Sequence, residues 1–300
     1  MKNKRKILIT AVPFISLNTN LKKLLKKKNI SFDLLKKVND FKKLDLSKYD
    51  GIIAGVEKYD KKTLKKAKRL KVISRVGIGI DSIDQIFCKE KKIKVLKTNS
   101  PNVAVVEFII GSMIFLIRQF GPMYINLKNK KWKPIISKSL TDMTVGILGY
   151  GKIGKLLSKK LISLGVKKIL VNDIKKFRNR RIIFCTKNYL LKNSELLSIN
   201  LELNKKTENF ISFKQVEIMR KGIFIINSSR GKILNEKSLV YGLKKKIIRG
   251  VFLDVFSNEP YKGDLLKIKN IFFTPHISSF TFSARRKMEN EAIKNLMINL

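Results

Sequence analysis

Short runs of aliphatic and β-branched residues recur along this chain, each followed by a lysine-rich segment with helical spacing, and that alternation restricts the fold more than any other feature. Ile7–Thr10, Gly51–Ala54, Val72–Arg75 and Ile93–Leu96 read as buried strands, with helices over Asn18–Lys28, Lys61–Lys68 and Ser82–Glu90. A long apolar helix over roughly Asn102–Gln119 follows, then an irregular arm through Gly121-Pro122, Trp132 and Pro134. The alternation then resumes with strands at Val145–Leu148, Ile169–Asp173, Leu196–Ile199, Ile223–Asn227, Val251–Leu253 and Ile271–Phe273, before a last amphipathic segment, Phe282–Ile298. Strand–helix alternation with short connections implies parallel sheets covered on both faces. At 300 residues the chain is long for one core and comfortable for two. The expected fold is α/β: two doubly wound parallel-sheet domains, Rossmann-like and flavodoxin-like, with a cleft between them.

Charge and composition remove several function classes. The net charge of +44 invites a nucleic-acid partner. Yet only 12 of the 66 basic residues are arginine, the better bidentate reader of phosphates and bases, and the lysines are spread along the chain. The charge therefore reads as solvated helix faces, with no specific nucleic-acid partner, although such a field attracts anionic ligands. The longest apolar stretch, Val103–Ile117, contains Glu107 and is too short for a bilayer span, so no membrane partner is expected. The basic start is followed only by Ile7-Leu8-Ile9 before Pro13, too brief for a secretory signal. Cys88 and Cys185 are far apart, which indicates neither disulfide nor metal, and fits a reducing cytoplasm.

The chemistry starts at Gly149-Tyr-Gly151-Lys152-Ile153-Gly154, a Gly-x-Gly-x-x-Gly between an apolar strand and an amphipathic helix. Gly149 serves the tight turn, Gly151 lets backbone approach a pyrophosphate, and Gly154 packs helix against strand. The helix N-terminus then offers amide hydrogens and a favourable dipole to the anion. Asp173, 19 residues beyond Gly154, stands near the offset of a carboxylate that binds adenosine ribose hydroxyls and repels a 2′-phosphate. The alternative for Asp173 is an ordinary strand-end turn residue. NAD is the expected cofactor, with Lys175, Lys176 and Arg178 near enough to soften the discrimination.

Hydride transfer between a nicotinamide and a carbonyl also needs a group that exchanges a proton with the oxygen and a cation that polarises it. The one histidine, His276, follows a strand end, where doubly wound sheets form their ligand crevice. A solitary histidine is more often structural than catalytic. Arg230 and Glu259, however, follow the two preceding strands and reach the same sheet edge.

These segments together resemble the D-isomer-specific 2-hydroxyacid dehydrogenases over nearly the whole chain. Ser74-Arg-Val-Gly77-Ile-Gly79-Ile-Asp81 is similar to that family's substrate loop and Gly149–Gly154 to its cofactor motif. Asn227-Ser-Ser-Arg230-Gly231, Leu253-Asp254 through Glu259-Pro260, and Thr274-Pro-His276 resemble its signatures. The resemblance implies His276 as acid/base, Glu259 as its orienting partner, and Arg230 as the clamp on the substrate. Asp254 would bind the nicotinamide carboxamide, and the Val76 and Gly77 amides would receive the substrate carboxylate. It further implies a substrate-binding domain of residues 1–100 plus 281–300, an NAD-binding domain of residues 101–280, and a homodimer formed through the long helix and arm. Within the family the likeness is strongest to the branch acting on D-3-phosphoglycerate in serine biosynthesis, where Arg75 would meet a 3-phosphate or only brace its loop. A glyoxylate or hydroxypyruvate reductase is the first alternative. The second, a corepressor-like regulatory protein, would carry a damaged triad, whereas Arg230, Glu259 and His276 are all present. Ser198-Ile-Asn200-Leu-Glu202 departs from the family pattern and places Glu202 near the expected cofactor.

Overall fold

The computed structural model describes residues 4–17, 19–99, 101–175 and 179–300. The chain divides into two compact units, Met1–Pro101 with Phe280–Leu300, and Asn102–Ser279.

In the first unit β1 (Arg5–Ile9), β2 (Ile30–Leu34), β3 (Gly51–Ala54), β4 (Val72–Arg75) and β5 (Lys94–Lys97) form a parallel sheet in the order β2-β1-β3-β4-β5. A parallel sheet is covered on both faces, so its central strands are continuously apolar. Leu8, Ile52, Ile73 and Phe87 belong to one core, while Ile7, Ile9, Ile53 and Val72 meet Met288, Ala292 and Leu296 in the other. Those last three residues belong to the C-terminal helix Phe282–Asn299. Asp60 and Asp84 start the helices Lys61–Leu64 and Gln85–Glu90 by accepting the amides of Thr63 and Phe87. The C-terminal helix also buries an ion pair, Arg285 Nε to Glu289 Oε1 at 2.8 Å. Arg285 donates to the carbonyls of Ala11 and Pro13, and Glu289 accepts from Ser16 N. Removing one member of such a pair costs about 3–5 kcal/mol, because the other charge stays buried alone.

The second unit orders seven parallel strands as β12-β11-β10-β9-β6-β7-β8, from β6 (Thr144–Leu148), β7 (Lys168–Asn172), β8 (Ile183–Phe184), β9 (Leu196–Ile199), β10 (Ile223–Asn227), β11 (Ile248–Leu253) and β12 (Ile271–Phe273). This is the dinucleotide-binding strand order with one more strand, and the order reverses between β6 and β9. Helix Asn102–Ile117 buries Val106, Ile109, Met113 and Leu116 in a core shared with Leu157 and Leu161 of helix Lys152–Ser163.

Three segments differ from the sequence expectation. β2 was not foreseen: Ser31 and Asp33 interrupt its apolar run, and it is an edge strand paired only with β1. β8 is a two-residue edge strand, too short to show a pattern. The arm after the long helix is itself helical over Phe120–Lys128. Gln119 breaks the long helix by adopting a left-handed φ of 53°, and Pro122 sits in the new helix's first turn, where its missing N–H has no helical partner to lose. The first helix of the chain spans Thr19–Lys27, and Asn18 of the expected range lies outside the described residues. Among the described residues no single helix is long and apolar enough to cross a membrane. The pair Asn102–Ile117 and Phe120–Lys128 meets that test only together and is bent by 58°.

Candidate active site

The glycine turn after β6 has the geometry its spacing predicts. Gly149 holds φ at +91°, and an added Cβ would lie 2.6 Å from Asn200 O, the carbonyl just past β9. A Cβ on Gly154 would lie 2.2 Å from Gly149 O, so helix Lys152–Ser163 packs directly on the turn. Gly151, the helix N-cap, has nothing within 4 Å of its Cβ position. A turn closed beneath and open above, at the start of a helix, at the point where strand order reverses, fits the pyrophosphate of a dinucleotide. Lys152 is exposed beside it, and Ile153 packs into the core below.

Asp173 faces this turn. Its Oδ2 accepts Tyr150 N at 2.6 Å and Oδ1 accepts Lys175 N at 2.8 Å, so the carboxylate braces the glycine loop and retains lone pairs for hydroxyl donors. Lys176 and Arg178 lie outside the described residues. Asn200 turns its amide back onto Ser198 Oγ at 3.1 Å, and Glu202 is exposed.

The three expected catalytic side chains come from loops following β10, β11 and β12, which are neighbours in the sheet. His276 Nδ1 and Glu259 Oε2 are 2.7 Å apart, with both side chains a little under one-third exposed. A carboxylate there can only accept, so Nδ1 carries the hydrogen and Nε2 is left for exchange with a ligand. Burial pushes the Glu259 carboxyl upward. The hydrogen bond and charge of His276, the Phe256 amide and the Arg230 charge outweigh it and hold the group below the usual glutamate range. Arg230 is thus electrostatically coupled to the pair.

Each loop is fixed by a polar side chain. Asn227 Nδ2 donates to Arg230 O, its Oδ1 accepts Ser229 N and Oγ, and Arg230 Nη1 donates to Ser229 O at 2.7 Å. Asp254 is wholly buried. It accepts Thr274 Oγ1 at 2.6 Å, Ile277 N at 2.7 Å and Ser278 N at 2.8 Å, which clamps both sides of His276 and supports its left-handed φ of 55°. Its oxygens thus serve the histidine loop, a task that no motif announces. Gly231 brings two loops into contact, because a Cβ there would lie 1.9 Å from Phe256 C.

In the first unit, the substrate-loop residues are occupied within their own fold. Val76 N donates to Ala54 O at 3.0 Å, and Gly77 N donates to Thr98 Oγ1 at 2.9 Å. The Gly77 amide is thus held by a hydroxyl acceptor. Arg75 Nη1 donates to the carbonyls of Val76 and Ala54. Close by, buried Glu57 accepts Thr10 Oγ1 at 2.8 Å beside Tyr59 OH, a polar cluster the sequence reading missed because its members have no motif spacing.

Residues 110–278 match the family model described as the NAD binding domain of D-isomer specific 2-hydroxyacid dehydrogenases. The chain is 30% identical to a hydroxypyruvate reductase of Thermotoga maritima over 83% of its own length and 84% of the relative. It is 33% identical to a glyoxylate reductase of Thermofilum pendens over 80% and 75%. A solved NAD-dependent formate dehydrogenase from Staphylococcus aureus, in complex with NAD, superposes with a TM-score of 0.87 over 98% of this chain and 94% of that one. Its 23% identity speaks for the fold.

Proposed function

Because the chain belongs to the D-isomer-specific 2-hydroxyacid dehydrogenase family, we propose that it reduces a small 2-oxo acid, hydroxypyruvate or glyoxylate, to the 2-hydroxy acid with NADH. The observation that carries this reading is the 2.7 Å His276–Glu259 pair coupled to Arg230 on one edge of the NAD-binding sheet. NADH, when bound, supplies the hydride to C2. His276 gives the proton on Nε2 to the carbonyl oxygen, and Glu259 holds the ring through Nδ1. The Arg230 guanidinium binds the substrate carboxylate and polarises the carbonyl. Gly149, Gly151, Lys152, Ile153, Gly154 and Asp173 would hold the dinucleotide, and Val76 and Gly77 the substrate. The names of the two relatives favour these acids over D-3-phosphoglycerate. So does the Arg75 guanidinium, which donates to the carbonyls of Val76 and of Ala54 at the end of β3.

An NADH absorbance assay over hydroxypyruvate, glyoxylate, pyruvate and 3-phosphohydroxypyruvate tests the reading. Hydroxypyruvate or glyoxylate should give the highest kcat/KM. His276→Ala should lose about 10²- to 10⁴-fold in kcat while NADH binding is retained. No turnover of any of them by protein that binds NADH would refute the activity, and preference for the phosphorylated acid would refute the substrate.

The same family reading makes the active form a homodimer. Helix Phe120–Lys128 buries none of its residues, and Tyr124, Ile125 and Leu127 are each more than half exposed. Sedimentation should show a dimer that Tyr124→Glu with Leu127→Glu converts to monomer. Two free cysteines fit a reducing cytoplasm.

A further inference from the structure

The side chains of the His276–Glu259 pair are a little under one-third exposed, and a partly exposed ion pair does little to hold its own geometry. Bonds to the loop that carries Glu259 supply the alignment. Within the loop, Phe256 N donates to Glu259 Oε1 at 3.0 Å, and the rings of Phe256 and Tyr261 stack at 4.4 Å. From outside, Glu236, the first residue of helix Glu236–Lys244, ties the loop on both sides of Glu259. Glu236 Oε1 accepts Ser257 Oγ at 2.5 Å and Ser257 N at 3.3 Å, and Oε2 accepts Tyr261 OH at 3.0 Å. Ser257 and Tyr261 stand two residues before and two residues after Glu259. One carboxylate thus spans both flanks of the residue that orients the histidine.

We propose that Glu236 is a positioning residue of the reductase, setting the Glu259 carboxylate against His276 through Ser257 and Tyr261. The inference rests on the roles proposed above for Glu259 and His276. Three donors converge on two oxygens, so alanine removes every tie. Glutamine keeps an acceptor for Ser257 and turns its amide to donate to the Tyr261 oxygen. Burial and the Glu236 hydrogen bond push the Tyr261 phenol above its ordinary range, so it stays a donor throughout any working pH.

The test is hydroxypyruvate reduction with NADH by the wild type, Glu236→Ala, Glu236→Gln, Glu259→Gln and the double variant Glu236→Ala/Glu259→Gln, alongside NADH affinity by fluorescence. Glu236→Ala should lower kcat about tenfold to a hundredfold, the scale of an ångström-sized misplacement, with NADH affinity unchanged. Glu236→Gln should recover most of the loss. In the Glu259→Gln background, Glu236→Ala should change kcat less than twofold, because the pair it aligns is already broken. Independent multiplication of the two losses, or wild-type kcat in Glu236→Ala, overturns the proposal. If Glu259→Gln itself turns over normally, the reading of the pair fails first and the positioning role falls with it. Should Glu236→Ala not fold, Ser257→Ala and Tyr261→Phe each remove one tie, and each must show a smaller loss that vanishes in the Glu259→Gln background.

Discussion

Gly231→Ala should cripple turnover while leaving the protein folded. The position of Gly231 requires space, not an unusual φ. A Cβ would stand 1.9 Å from Phe256 C and 2.2 Å from Phe256 O, whereas ordinary contact begins at 3.4 Å. The Phe256 backbone must therefore retreat by about 1.5 Å, and neither neighbour is a flexible side-chain tip that could yield instead. Phe256 N holds Glu259 Oε1 at 3.0 Å, and Glu259 Oε2 holds His276 at 2.7 Å. If only half the displacement reaches Glu259, the 2.7 Å contact lengthens to about 3.5 Å, beyond hydrogen-bond reach. Misplacement on this scale costs about a hundredfold in rate. Overpacking costs about 1–3 kcal/mol, and each kcal/mol lowers Tm by about 2–4 °C in a unit of this size. Steady-state kinetics with hydroxypyruvate and thermal unfolding on the same preparation measure both. A variant that loses several degrees of Tm but keeps kcat within twofold refutes the chain of contacts from Gly231 to His276.

Gly151→Ala should do the reverse: its Cβ meets nothing within 4 Å, so Tm holds while NADH affinity, read by fluorescence, falls about tenfold or more as the methyl group occupies the approach face. Asp254→Ala strands one buried and two part-buried donors at up to about 1–3 kcal/mol each, so denaturant unfolding should show a loss of several kcal/mol. Glu259 sits below the ordinary glutamate value of 4.5, so the stability it adds is full above that value and is lost as pH falls through its lower folded-state value. The stability gap between wild type and Glu259→Gln should therefore close on acidification, and a gap that widens would contradict the assignment. Because the chain carries +44, kcat/KM for an anionic oxo acid should fall as ionic strength rises from about 0.01 to 0.15 M, over which the screening length drops from about 30 to 8 Å.

What the sequence made legible followed from strong local signals. β9, β10 and β12 have the predicted bounds because buried parallel strands are unbroken apolar runs closed by polar turns. The glycine turn was readable because Gly149 and Gly154 leave no room for a side chain, while Gly151 keeps the approach face open. The meeting of His276 with Glu259 was inferable because both follow strands that end on the same edge. Edge strands were less legible. β2 alternates weakly around Ser31 and Asp33, and β8 is too short for any period. The arm's helix was hidden by Gly121-Pro122, a turn signal that tertiary context turned into a helix start. The supporting polar residues, Asn227, Asp254 and Glu236, escaped as supports because they bond backbone and hydroxyl groups brought together only by the fold. For Asp254 the family resemblance implies a cofactor contact, and its loop clamp is visible only in the fold.

The first unit is assembled from two separate segments, with the second unit, residues 102–279, inserted between them. Met288, Ala292 and Leu296 cover Ile7, Ile9, Ile53 and Val72, yet leave the ribosome after all of that insertion has been made. During synthesis the amino-terminal sheet thus waits, one apolar face only partly covered by Leu21 and Leu25, for a helix translated after the whole second unit. Substitutions in that helix should therefore act on yield and chaperone demand even where the finished enzyme, once formed, works normally.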